Sequence, residues 1–328
     1  MRAIVYPVPV PRAPLLVLLG FMLVGGCSKS TSTVAPAPRA PQGIPNPPFV
    51  RPPRAYPLRH LVPSWGYRSR IAYFETGLLR VENGREVYAD SIQGIWLLDT
   101  STGESQLLLP ARLPSVSSAW SPDGTRLVYS DQTNLIALDV ASGQSIQLTN
   151  FQCPASATHP KWSPDGSTIA FTYTPPDGGW PGSGVWTVGA DGSTPKQIAL
   201  GYINPDWHPE GLVMRDPAGF GIYLWRRATD QVVRLQKITG FQAGDLAVSP
   251  DGSRIAISAF EWGSLWLMNA DGSDFHAIAD HVYTGHTWSP DGRFVVFTRY
   301  DDTEDVPANG VLWQVNVSTG ELTQLTHH

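Results

Sequence analysis

The residues of this 328-residue chain that could do chemistry fall into three sets. The first is four carboxylates, Asp123, Asp165, Asp251 and Asp291, each inside a Ser-Pro-Asp-Gly tetrapeptide. Four equivalent carboxylates invite a metal, but the tetrapeptide itself reads as a turn. Proline fixes φ at the second position, aspartate suits the third, and glycine takes the left-handed conformation that closes the hairpin. Each aspartate is therefore expected to accept hydrogen bonds within its own turn. The second set is His60, His159, His281 and His286, each just ahead of an apolar strand pattern. Only His159 and His286 sit near matching positions, and they are the candidate pair for a divalent metal; hydrogen-bonded loop histidines are the other reading. The third set is Trp180, within a Pro/Gly-rich stretch, and Tyr300 followed by Asp301, Asp302, Glu304 and Asp305. Aromatic anchors and charges on long loops serve partner binding, so these six residues are the expected binding surface. No Gly-x-Ser-x-Gly elbow, phosphate-cradling glycine loop or Cys-x-x-Cys pair occurs. No catalytic residue is assigned, and no cofactor is expected.

The elements that must position these residues come from a repeat. Trp120-Ser-Pro-Asp-Gly, Trp162-Ser-Pro-Asp-Gly, Val248-Ser-Pro-Asp-Gly and Trp288-Ser-Pro-Asp-Gly are near copies, and segments at Trp65 and Trp207 are degraded ones. Successive copies lie 40 to 45 residues apart, except for 55 between the first two, where an insertion is expected. Each copy ends one short strand and begins another, such as Arg126-Leu-Val-Tyr. A third strand follows (Ile95-Trp-Leu-Leu-Asp, Leu265-Trp-Leu-Met-Asn), then a Gly turn and a fourth. Four strands per repeat, six times over, predict an all-β, six-bladed β-propeller of four-stranded antiparallel blades over residues 61–328. One blade cannot bury its own faces, whereas a closed ring can. Whole blades without strand exchange are expected, because the prolines of 43–60 argue against an extra edge strand. Three second-to-third-strand loops are long, at 75–94, 173–184 and 300–310, and open on one face.

The Trp-Ser-Pro-Asp-Gly repeats resemble those of the TolB-type propellers of bacteria. That resemblance implies the propeller fold across 61–328 and an envelope protein that works by binding. It does not extend to the α/β domain that TolB carries before its propeller, so a role in the Tol system is not implied. The repeats are also similar to the propeller gate of prolyl oligopeptidases, but no hydrolase domain is expected after the sixth blade.

The N-terminus reads as an address. Arg2 and Arg12 precede the apolar run 13–24, which is too short to span a bilayer comfortably but suits a signal-peptide core. Its ending, Val24-Gly25-Gly26-Cys27, resembles the lipobox of bacterial lipoproteins, which implies cleavage after residue 26 and a diacylglycerol on Cys27. Residues 27–60 then form a disordered tether: nine prolines and five cations, Lys29, Arg39, Arg51, Arg54 and Arg59, with no acid. Proline-rich chain favours extended polyproline II, reaching on the order of 100 Å at ~3.1 Å per residue. The other cysteine, Cys153, is left unpaired and reads as a small buried residue.

Charge is split along the chain. All 28 Asp and Glu lie in 75–328, against 14 of the 23 Lys and Arg. So acidic a body lacks the basic surface that sequence-independent nucleic-acid binding needs. The expected function is a lipid-anchored cell-envelope scaffold or receptor, periplasmic or at the cell surface, with a protein partner on its loop face. The alternatives are a metal-assisted polysaccharide lyase or hydrolase at the channel mouth, and a small-molecule or sugar-binding module.

Overall fold

The computed structural model describes residues 58–66, 69–82, 85–88, 93–110, 117–177, 182–259, 263–300 and 310–326. These form six blades of antiparallel strands, with no α-helix among the described residues. Blade 1 holds β1 (Leu58–Trp65), β2 (Arg70–Glu82), β3 (Arg85–Tyr88), β4 (Gly94–Asp99) and β5 (Ser105–Pro110). Blade 2 follows with β6 (Ser118–Trp120), β7 (Arg126–Ser130), β8 (Leu135–Asp139) and β9 (Ser145–Gln147). Blade 3 holds β10 (Ser156–Trp162), β11 (Thr168–Thr174), β12 (Gly184–Gly189) and β13 (Lys196–Leu200). Blade 4 holds β14 (Ile203–His208), β15 (Gly211–Arg215), β16 (Gly221–Arg226) and β17 (Gln231–Lys237). Blade 5 holds β18 (Ala243–Val248), β19 (Arg254–Ala259), β20 (Ser264–Asn269) and β21 (His276–Ala279). Blade 6 closes with β22 (Val282–Trp288), β23 (Phe294–Tyr300), β24 (Gly310–Asn316) and β25 (Leu322–Gln324).

The core sits between the blades. Six apolar clusters each fill one inter-blade space; Ile71, Tyr73, Trp96 and Leu98 of blade 1, for example, meet Val296 and Leu312 of blade 6. A second strand is therefore covered on both faces, and β15 is buried throughout, while the outermost β9 is exposed throughout. This is why second strands read as continuous apolar runs rather than alternating ones.

Both halves of the repeated motif are structural. Asp165 Oδ1 accepts from Ser163 Oγ (2.5 Å), Ser167 N (3.0 Å) and Ser167 Oγ (2.8 Å), and these bonds lower its pKa to about 2. Gly166 closes the turn at φ +72°. The motif tryptophans join neighbours: Trp120, Trp207 and Trp288 donate Nε1–H to the carbonyls of Ser64, Lys161 and Ala247 in the preceding blade. The guanidinium groups of Arg126 and Arg254 cover the rings of Trp162 and Trp288 in the following blade, at 4.7 and 5.5 Å.

Two expectations need correction. Blades 1 and 6 are not separate sheets: Arg59 of β1 pairs in parallel with Gly310 of β24, giving one nine-stranded sheet. The stretch Leu58-Arg59-His60-Leu61 is free of proline, so its N–H groups can extend the ladder back as far as Pro57, which has none to offer. Cys153 is not buried either. It is exposed in the connection to blade 3. The insertion in blade 1 takes regular form: β2 runs on past its pairing with β4 and folds back as β3, making a hairpin at the loop face.

Candidate functional site

The innermost strand of each blade faces the central channel, as a sheet edge in all but blade 1, and five of the six carry a bulge at about one level. Register shifts fall between Leu61 and Ser64, Thr158 and Lys161, Ile203 and Asp206, Ala243 and Leu246, and Val282 and His286. A bulge tilts side chains off the regular pleat and tolerates proline, which explains Pro63, Pro160 and Pro205 inside these strands. His159 and Asn204 take φ of +52° and +53° here, a strain of about 1–2 kcal/mol each. Their freed N–H groups are caught by the preceding blade: His159 N by Ser117 Oγ (3.0 Å) and Asn204 N by Thr172 Oγ1 (2.8 Å).

The bulges bring a polar cluster together. Asp245 is its hub: Oδ1 accepts Asn204 Nδ2–H (2.9 Å), Oδ2 accepts Gly285 N–H (3.0 Å), and His159 Nε2 lies 3.5 Å from Oδ1. One carboxylate of blade 5 thus ties blades 3, 4 and 6. Asp206 does the same one blade earlier, accepting Val248 N–H (2.8 Å) from blade 5 with Lys161 Nζ of blade 3 at 3.6 Å. Burial alone would raise the Asp245 pKa, but His159, His286, Arg215 and Lys161 together hold it below the ordinary carboxylate range. His159 and His286 are pushed down by burial, more than the charge of Asp245 can offset. His286 Nε2 pairs with the carbonyl of Ala256 (3.1 Å), so Nε2 carries the proton and the buried Nδ1 keeps an unpartnered lone pair.

These side chains narrow the channel. His159 reaches from blade 3 to blade 5 past blade 4, and the cavity left beside it is only about 40 Å³. That is room for about three waters.

His159 and His286, the candidate metal pair, lie within the innermost strands β10 and β22 and both line this cavity. Sequence reasoning missed Asp245, Asp206, Asn204 and Lys161. The signal was available: counting back three residues from each motif Trp or Val248 gives Val62, Ser117, His159, Asn204, Asp245 and Gly285. No three His, Cys, Asp or Glu side chains are grouped to hold a metal among the described residues. His281 sits exposed at the corner before β22, with Nδ1 3.3 Å from Asp280 Oδ1, and His60 lies within β1, paired with Glu75. Of the expected binding surface, Tyr300 is the last residue of β23, paired with Gly310. Trp180, Asp301, Asp302, Glu304 and Asp305 lie outside the described residues, as does Cys27.

No family model matches the chain. An uncharacterized protein of Agrobacterium fabrum is 27% identical over 64% of this chain and 63% of its own length. An uncharacterized peptidase of Bacillus subtilis is 28% identical over 58% of this chain, but over only 28% of its own. The chain thus spans less than two thirds of either relative. Among solved structures, TolB from Acinetobacter baumannii superimposes with a TM-score of 0.60 at 14% identity, covering 82% of this chain and 79% of that one. A TolB candidate from Agrobacterium tumefaciens gives 0.59 at 23% identity, over 70% and 86%. Oligogalacturonate lyase in complex with manganese gives 0.51 at 16% identity, over 80% and 90%.

Proposed function

We propose that this TolB-like propeller is an extracytoplasmic scaffold that captures a protein partner on its loop face while lipid on Cys27 holds it to a membrane. The observation that carries the reading is the narrow channel. With His159 meeting Asp245 there and about 40 Å³ left beside them, the surrounding loops offer a ligand larger than a few waters more room than the channel does. That is where the β2–β3 hairpin lies and where Trp180 and residues 300–305 belong by position in their blades. Crosslinking in intact envelopes tests it. Trp180→Ala combined with serine at 301, 302, 304 and 305 should remove the captured partner; an unchanged set of captured proteins sinks the reading.

The anchor has its own test. With two cysteines in the chain, a thioether on Cys27 and an internal disulfide are mutually exclusive. The intact mass of the membrane-extracted protein tells them apart. A diacylglyceryl adduct with a free Cys153 supports the anchor, as does release of Cys27→Ser from membranes; a disulfide-bonded, unmodified chain refutes it. The runner-up is metal-assisted catalysis at the channel, favoured by the unpartnered Nδ1 of His286. Stoichiometric metal in the purified protein, lost in His159→Ala/His286→Ala, would move the conclusion there.

A further inference from the structure

The seam between blades 6 and 1 differs from the others at its turn-face end. Blade 1 has no Ser-Pro-Asp-Gly turn; Trp65 and Ile71 are six residues apart, where Trp120 and Leu127 are seven. The arginine that covers the next blade's tryptophan in blades 2 and 5 is replaced by Phe294. What remains is an open groove of about 340 Å³, lined by Trp65, Pro290, Phe294 and Leu325 with Asp291 and Gln314 at its polar side. Its volume is at the low end of the ~300–1,000 Å³ usual for ligand clefts. An aromatic and proline lining with a few acceptors is the kind of surface that receives proline-rich chain in the polyproline II form, whose order costs little on binding.

We infer that the groove is the docking site of the chain's own proline-rich segment, residues 43–57, which straps itself along the blade 6–blade 1 seam. Three observations point to this occupant over any other. The chain enters the ring at this seam, since Arg59 pairs with Gly310 at the start of β24, and Gln314 of the same strand lines the groove. Four residues of strand separate them, about 13 Å at ~3.3 Å per residue. Fifty-seven residues precede Leu58, and 43–57 alone holds Pro45, Pro47, Pro48, Pro52, Pro53 and Pro57. Extended at ~3.1 Å per residue they reach roughly 45 Å, ample to turn back down the seam. The charges also match: the segment carries Arg51 and Arg54 and no acid, and the body has twice as many acids as bases. Docking shortens the tether, and release lengthens it, so the groove would set how far the loop face stands from whatever holds the N-terminus.

Photocrosslinking tests this in the full-length chain in membranes, using Gln314→p-benzoylphenylalanine as the probe. Cross-links should map to residues 43–57 within a single chain. Their yield should fall at least fivefold in Pro47→Ser/Pro48→Ser/Pro52→Ser/Pro53→Ser, whose changes lie outside the propeller and leave it folded, and stay constant in Arg39→Ser. Cross-links confined to a two-chain species assign the groove to a second copy and overturn the strap. So do cross-links that map outside the segment, or a yield indifferent to the prolines. The outcome is independent of whether the loop face captures a partner.

Discussion

The two ends of each innermost strand obey different rules, although they lie a few residues apart. At the turn-face end stands the motif tryptophan in five blades and Val248 in the other: each packs in an inter-blade space, and three of the tryptophans donate to the preceding blade's carbonyl. Three residues earlier, at the level where five blades carry a bulge, no two blades agree, the chain offering Val62, Ser117, His159, Asn204, Asp245 and Gly285. Ring closure asks the same of every blade, so the tryptophan end repeats. The channel needs only one working cluster shared among all the blades, so its members differ. In a repeat protein, the positions that break the repeat mark what the repeat is there to hold.

The largest effect should come from breaking the repeated end. Trp288→Ala removes a ring that is 5% exposed, its bond to Ala247 O and the cover of Arg254. A loss of about 3–5 kcal/mol is expected from the cavity alone, seen as a lower urea midpoint. Asp245→Ala attacks the other end, where it strands Asn204, Gly285 N–H and His159 together. Leaving a buried donor without its acceptor costs about 1–3 kcal/mol; Asp245 serves both the Asn204 amide and Gly285 N–H and keeps 23% of its side chain exposed, so about 2–3 is expected in all. Asp245→Asn retains the size and some of the bonds and should lose about half as much. If Asp245→Ala is silent in urea, the cluster holds nothing together.

Much of this contrast was legible in the sequence, but unevenly. The blade count, the turns and the buried strands follow from local chemistry: Pro and Gly fix the turns, and apolar runs fix the faces. The cluster does not, because Asp245 meets His159 across 86 residues and two blades, and nothing in either neighbourhood announces the other. A polar residue in an otherwise apolar strand was the only trace, and a bulge is what turns it inward. The parallel pairing of Arg59 with Gly310 was hidden for a similar reason. The prolines before it masked the four residues that join the sheet.

pH separates the two ends further. The pKa values of His159 and His286 are depressed by burial, so between those values and about 6.5 the unfolded chain binds more protons than the folded one. Stability should therefore be complete above about pH 6.5 and decline as pH falls below it. His208, also depressed by burial, adds the same sign. In His159→Gln/His286→Gln the slope of stability between pH 7 and 5 should flatten without vanishing. An unchanged slope would mean that neither histidine is held neutral in the channel.

The smallest effect belongs to a single turn carboxylate. Asp165→Ala removes three hydrogen bonds, but on an exposed turn where water replaces most of what is lost, so about 1 kcal/mol is expected. Its sign with pH is the same as that of the histidines, but its window lies lower. A carboxylate held at about 2 stabilises fully above its unfolded value near 3.9 and loses that contribution as pH falls toward 2. Asp165→Ala and the parent should therefore differ at pH 7 and converge near pH 2, with no change in slope between 5 and 7. Asp123 and Asp251 carry the same three bonds and Asp291 two of them, so the effects should add, since each turn is closed within its own blade. The channel carboxylates, which share partners, should not add: Asp206→Ala on top of Asp245→Ala should cost less than the two measured alone. If the turn variants coupled and the channel variants added, the division between repeated and unrepeated ends would be drawn in the wrong place.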